Sequence, residues 1–223
     1  DNYKAILNTV DTLGVPFTRY IFNAVFTTLV GTAVYLLLAL ITAYPIAKSK
    51  IRAVKILNVA LVYAMLFHND TMALVRFLVM SKMRIVDTYM AVILPNLAST
   101  MGIYLLVQFM RNSVPDSVLE AARIDGAGEF RILFSIVAPS VKAGWLTAMI
   151  FVFQSYWNAG SGSYIYSENL KHIATVMSSI AGSGITRAGT GMAVTIVLMV
   201  PTIVVFLWNQ RSIMNTMAHS GLK

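Results

Sequence analysis

From Ile21 to Ala47 the chain runs without a single charged residue. A helix needs roughly 20 predominantly apolar residues to cross the hydrocarbon core of a bilayer. Lipid offers no partners to backbone N–H and C=O groups, so a spanning segment must satisfy them internally, as a helix does. The run therefore commits this part of the chain to a transmembrane helix. Composition extends the argument to the rest. The chain is 57% hydrophobic and 12% charged, with a mean hydropathy of +0.72, against about 25% charged residues in an ordinary soluble domain.

The net charge of +8 belongs to the same picture. Nucleic-acid binding is one reading of a basic chain, but the apolar content excludes it. Excess Lys and Arg in cytoplasmic loops is the ordinary cause in a membrane protein. With no cysteine in the sequence, disulfides, thiolate metal sites and cysteine nucleophiles are ruled out.

Four further apolar stretches read as crossings: Ile56 to about Met80, Tyr89 to Met110 with Pro95 and Asn96 inside, Val141 to Trp157, and Met192 to Trp208 with Pro201 inside. His68, Asn69, Asp70 and Arg76 interrupt the first of these. Either they serve the translocation path or a gate, or the crossing is shorter and they lie near the outer surface or face another subunit. The dense cluster Lys48, Lys50, Arg52 and Lys55 sets the cytoplasmic side. Residues of about 112–139 then lie in the cytoplasm, and those of about 158–191 lie outside. Five crossings place Asp1 outside, which leads us to expect one more crossing before it. The architecture expected is an all-α polytopic membrane protein, one transmembrane domain over residues 1–223.

The polar stretch at 112–139 gathers Asp116, Glu120, Asp125 and Glu129, nearly half of the chain's nine acidic residues. Pro115 suits a first helical turn. Ser117 and Glu120 have the spacing of a capping box, and Gly126 supplies a left-handed stop. The spacing predicts a helix from about Val118 to Asp125. A second follows from about Glu129 to Val137, with Phe130, Leu133, Phe134 and Val137 on one face and Pro139 at its junction with the next crossing. Ala121 and Ala122 give the first helix a low profile suited to a cleft in a partner. Two other readings stay open at this point: a plain solvated loop, and a carboxylate site for a cation. The spacing does not fit an EF-hand loop.

Glu120-Ala121-Ala122, then Ile124-Asp125-Gly126-Ala127, then Ile136 and Pro139, resembles the EAA motif of permease subunits in ABC importers. The chain is similar to type I importers, and among them to the maltose-permease-like group that takes up carbohydrates. Asn23, Asp87-Thr88, Trp157-Asn158 and the closing Ser220-Gly221-Leu222-Lys223 fit the same resemblance, which covers essentially the whole chain. The EAA block is specific for binding-protein-dependent importers, and the flanking matches to sugar permeases are less so. The family pattern has six crossings, and this chain offers five.

The resemblance implies that the hairpin is a coupling helix docking on a cytoplasmic ATPase through Glu120, Ala121, Ala122, Asp125 and Gly126. Glu120 either closes the capping box or pairs with a basic residue of the ATPase. The implied partners are a second permease in a heterodimer, two ATPase subunits carrying ATP and Mg, an extracellular or periplasmic solute-binding protein, a carbohydrate substrate and the lipid bilayer. The implied location is the cytoplasmic membrane of a bacterium or archaeon. No cofactor or metal is expected on this chain itself. It carries neither a P-loop nor a nucleophile arrangement.

Asn96, Ser99, Thr100 and Gln108 give the third crossing polar positions, which line the path or serve helix packing. The methionines read as adaptable packing. His172 and His219 have no visible partner set and receive no role. Leu170, Ile173, Met177 and Ile180 recur at helical spacing, with Gly182, Gly184 and Gly189 ending that pattern. An importer for a non-sugar solute is the nearest alternative. An ion-gradient transporter or channel would want paired membrane carboxylates, and Asp70 alone falls within a crossing. A structural scaffold would explain the helices but not the hairpin.

Overall fold

The computed structural model describes residues 15–66, 73–160, 164–181 and 188–220, and regular structure among them is entirely helical. Helix α1 covers Phe17–Lys48, 32 residues. At 1.5 Å per residue it is about 48 Å long, which exceeds the ~30 Å hydrocarbon core. It is followed by α2 (Arg52–Ala64), α3 (Ala73–Lys82), α4 (Met90–Leu97) and α5 (Thr100–Ser113). Next come α6 (Asp116–Ile124), α7 (Glu129–Ser140), α8 (Lys142–Asn158), α9 (Ile173–Ala181) and α10 (Ala188–Ser220). Among the described residues α1 alone is long and apolar enough to cross a membrane unaided; α4 with α5, and α7 with α8, qualify as bent pairs.

The chain sorts into two compact groups. One takes the described residues of Asp1–Thr32, Met72–Ala98 and Phe153–Leu207. Its core joins Tyr20 and Ala24 of α1 to Trp157 of α8 and to Ile173, Val176 and Met177 of α9. Gly31 lets the Tyr156 ring lie against α1: a Cβ there would come within 2.5 Å of the ring. The Tyr156 hydroxyl donates to the Ile93 carbonyl at 2.9 Å, and the Trp157 indole to that of Leu198 at 2.8 Å.

The other group takes the described residues of Ala33–Thr71, Ser99–Val152 and Trp208–Lys223. Small residues again admit aromatic ones, as helix packing in lipid favours. Gly102 faces the Tyr35 hydroxyl, and Gly144 faces the Phe109 ring. Leu106, Val107 and Met110 of α5 are buried, with Leu119 of α6 and Ile132, Leu133 and Val137 of α7.

Three expected elements come out differently. The stretch Ile56 to Met80 is not one helix among the described residues: α2 ends at Ala64 and α3 begins at Ala73. His68, Asn69 and Asp70 lie outside the described residues. The third crossing breaks at Ala98–Ser99, where Ser99 is extended (φ −60°, ψ 113°). Pro95, lacking an N–H, has already removed one bond of the ladder a turn earlier. Gly189 lies inside α10 rather than ending the α9 pattern; Gly182 and Gly184 lie outside the described residues.

Candidate functional site: the hairpin and the 164–171 loop

The hairpin forms where the acid-rich stretch predicts it, with a different start. Helix α6 begins at Asp116 with Pro115 as its N-cap, and no side chain caps it. The expected capping box is therefore absent. Ser117 and Glu120 already lie within the helix, so neither is placed to reach its first free amides. Instead Asp116 stands in the first turn and Arg123 in the last, the signs that suit the helix dipole. Gly126 ends it at φ +79°, the left-handed conformation that a Cβ disfavours.

Helix α7 also departs from its predicted face. Residues Leu133–Val137 form a π-turn. The extra residue per turn rotates the side chains that follow. Ile132, Leu133 and Val137 are buried, whereas Phe130 is 70% exposed and Phe134 45%. Past Pro139 the chain turns through 84° into α8.

Lys48 and Tyr44 fasten the hairpin to the end of α1, Arg111 ties the end of α5 to it, and Arg123 closes the hairpin's own turn. Lys48 Nζ donates to the Val114 carbonyl at 2.6 Å and to Asp116 at 2.8 Å. Arg111 donates to the Ile46 carbonyl at 3.3 Å. Arg123 of α6 donates to Glu129 at the start of α7, Nε to Oε1 at 2.7 Å, closing the turn around Gly126. The Tyr44 hydroxyl donates to the other carboxylate oxygen at 2.6 Å. The Lys48 ammonium holds the Asp116 carboxyl below the usual range, and the Arg123 guanidinium does the same to Glu129. Glu129 in turn raises Arg123.

Glu120, Ala121, Asp125 and Gly126 are exposed and Ala122 is half-buried. Glu120 lines a cavity of about 290 Å³ with Lys48, Ser49, Lys50, Asp116, Leu119 and Arg123. Beside them Val118, Ile124 (87%) and Phe130 are exposed apolar residues. The Arg123–Glu129–Tyr44 clasp escaped the sequence reading, because Tyr44 lies far away in the chain. The exposure of Ile124 and Phe130 did leave a signal: apolar side chains in a polar hairpin.

A second arrangement holds residues 164–171 in the first group. Asn23 is fully buried. Its amide donates to the carbonyls of Asn169 (2.8 Å) and Lys171 (3.0 Å), and its oxygen accepts from the Tyr89 hydroxyl at 2.8 Å. Asp87, at φ +60°, accepts the backbone amides of Tyr166 and Ser167 at 2.9 Å each and the Ser167 hydroxyl. Those bonds lower its pKa, the Ser167 hydroxyl foremost. The Tyr20 hydroxyl donates to Glu168 at 3.1 Å. His172, left without a role above, is buried between the Thr27 hydroxyl and the Ala159 carbonyl. Asn23 and Asp87, two of the residues that carried the resemblance, thus meet on one loop.

The polar positions of the third crossing fall in both groups. In the first, Asn96 donates to the Val92 carbonyl at 2.9 Å and accepts from Ser155 at 3.1 Å. In the second, the Ser99 carbonyl accepts from Tyr35 at 2.7 Å, and Thr100 and Gln108 are half-buried. Among the described residues no group of His, Cys, Asp and Glu is arranged to hold a metal.

Known proteins share this architecture. A bacterial ABC transporter involved in the import of the acidic polysaccharide alginate contains a chain of the same fold. Its TM-score is 0.71 at 21% identity, over 87% of this chain and 74% of that one. The lactose transport system permease protein LacG of Rhizobium radiobacter is 30% identical over 99% of this chain and 79% of its own length. The polygalacturonan/rhamnogalacturonan transport system permease protein YtcP of Bacillus subtilis is 28% identical over 86% of this chain and 76% of its own. No protein-family model matches the chain. The chain belongs to the family of ABC-importer permeases, membrane proteins that are transport components and not enzymes.

Proposed function

We propose that this chain is the membrane-spanning permease of a binding-protein-dependent ABC importer for a carbohydrate, in the cytoplasmic membrane of a bacterium or archaeon. Its hairpin is the surface that couples it to ATPase subunits. The observation that carries the reading is a one-sided hairpin: Lys48 and Tyr44 fasten its inner side, while Ile124 and Phe130 are left exposed beside Glu120, Ala121 and Asp125. An exposed apolar pair rimmed by polar residues is what a docking surface requires. Ala121 and Ala122 let a partner's groove close on the helix, and Gly126 sets the turn.

ATP and Mg belong to the ATPase subunits, and this chain binds neither. Nucleotide can shift a permease between its states only by the difference in its affinity for them. A hairpin held by ion pairs passes on such a shift, whereas a slack loop absorbs it. A second permease, as a heterodimer, and a solute-binding protein on the outer face complete the assembly, with the 164–171 loop and Asn158 on that outer face. The whole chain forms one transmembrane domain, with Asn96, Ser99, Thr100 and Gln108 along its path. The sugar names of LacG and YtcP support a carbohydrate substrate.

The test is reconstitution with the neighbouring ATPase and solute-binding proteins in liposomes. ATPase activity should rise with the loaded binding protein. Ile124→Asp and Phe130→Asp should abolish that rise while leaving the permease monodisperse. Uptake that continues with no ATPase present defeats the reading. A sugar screen against the binding protein then names the substrate.

A further inference from the structure

Helix α1 is remote from the hairpin in sequence, with Asp116 lying 68 positions beyond Lys48, yet it grips both of the hairpin's arms. The Tyr44 hydroxyl donates to Glu129 Oε2 of α7 at 2.6 Å and accepts from Arg123 Nη2 of α6 at 3.3 Å. One turn later, Lys48 holds the Val114 carbonyl and the Asp116 carboxylate, where α6 begins. Taking the importer reading proposed above, we infer that Tyr44, seconded by Lys48, is the positioning residue through which movement of the hairpin passes into α1.

Three observations favour α1 over the helices that adjoin the hairpin in sequence. First, both of those neighbours meet it at a joint. Val114, between α5 and α6, is extended (φ −117°, ψ 105°). On the other side α7 contains the π-turn at Leu133–Val137 and bends by 84° into α8. Rotation at a few residues of this kind absorbs displacement. Second, the α1 side of the contacts is shielded: Tyr44 is 8% exposed and the Lys48 side chain 9%. A hydroxyl or ammonium released there has little water to turn to, so these bonds are costly to leave unmade. Third, α1 is one helix from Phe17 to Lys48; Pro45 removes one ladder bond near its end, and the helix continues through it. Coupling is carried by hydrogen-bond networks and rigid elements of this kind.

The hydroxyl of Tyr44 is not needed for the shape of the hairpin turn. Arg123 and Glu129 already close that turn with their own bond, Nε to Oε1 at 2.7 Å. What Tyr44 adds is a tie from both arms to a membrane-spanning helix.

The test uses the full importer in liposomes, measuring ATP hydrolysis and uptake of the sugar chosen by the binding-protein screen in the same vesicles. Tyr44→Phe deletes one oxygen and keeps the ring. It should hold its ATPase through purification, yet move about tenfold less sugar per ATP, within the range usual for coupling between two sites. Lys48→Met should act in the same direction, and Lys48→Arg should keep the wild-type ratio. Leu106→Ala, at a fully buried position of α5, should lower the unfolding temperature more than Tyr44→Phe does. It should nonetheless leave the ratio of sugar to ATP as in wild type, which separates transmission from stability. A wild-type ratio in Tyr44→Phe overturns the inference. So does a ratio that follows the unfolding temperature across all the variants, or loss of the ATPase from the Tyr44→Phe complex. Wild-type uptake that needs no ATPase defeats the importer reading itself, and this role of Tyr44 with it.

Discussion

Glu129 and Asn23 each gather three hydrogen bonds, yet only Asn23 does so out of reach of water. Glu129 takes two from Arg123 and one from Tyr44 with its side chain 56% exposed. Asn23 fixes Asn169, Lys171 and Tyr89 at zero exposure. The contrast teaches what each region can do. An exposed ion pair is cheap to open and sensitive to its surroundings. A buried neutral amide is costly to disturb, because the carbonyls it serves would stay dry and unpaired. The 164–171 loop is thus fixed in shape, and the hairpin is held in a way that a partner's charges can retune.

The largest effect should come from the buried side. Asn23→Leu strands two carbonyls and a hydroxyl, and should cost about 3 kcal/mol. Thermal unfolding in detergent would show it as a larger drop than any substitution in the hairpin. A loss under about 1 kcal/mol would mean that water replaces the amide, and the contrast between the two regions would collapse.

Next is Gly126. Nothing lies within 4 Å of a Cβ built there, so the cost of substitution is conformational alone. Gly126→Ala should lose about 1 kcal/mol, and Gly126→Asn clearly less, since Asn visits the left-handed region more readily. Equal losses for Ala and Asn would point to a steric cause and break the account of the turn.

These two residues also mark how far the sequence could be read. The α1 crossing was legible because lipid forces an unbroken apolar run into a helix, and Gly126 because a stop signal is local. Asn23 could be flagged only by resemblance, since its partners lie 66, 146 and 148 positions away. The capping box was misread for a related reason. Spacing alone cannot tell whether a helix starts two residues earlier, and Lys48, brought in from α1, already holds Asp116 at that start. The face of α7 holds at Leu133 and Val137 but not at Phe130, which precedes the π-turn, or at Phe134 within it, and no apolar periodicity announces that turn.

A third expectation separates the two regions by salt. A double-mutant cycle on Arg123→Ala and Glu129→Ala should give a coupling of about 0.2–1 kcal/mol at low ionic strength. It should shrink at about 0.5 M salt, where screening shortens to a few ångströms. The loss caused by Asn23→Leu should not change with salt. A salt-independent cycle would show that the hairpin clasp is shielded as the loop is.

The smallest effect is in acid, and there the two regions should converge. Glu129 and Asp116 in the hairpin and Asp87 at the loop all have lowered pKa values in the folded chain. A depressed carboxyl contributes stability that is complete above its unfolded value, here 4.5 for Glu and 3.8 for Asp. That contribution disappears as pH falls through the lower folded value. Hydrogen exchange between pH 7 and 5 should therefore show constant opening in both segments, once the intrinsic exchange rate is divided out. Below about pH 4 the hairpin amides around Gly126 and the Tyr166 and Ser167 amides should both lose protection. Asp87 differs from Glu129 in one respect: its donors are a hydroxyl and two amides, not a cation. High salt should thus raise the pH at which the hairpin opens and leave that of the loop in place. A common shift in both would mean that Asp87, too, is held by long-range charge.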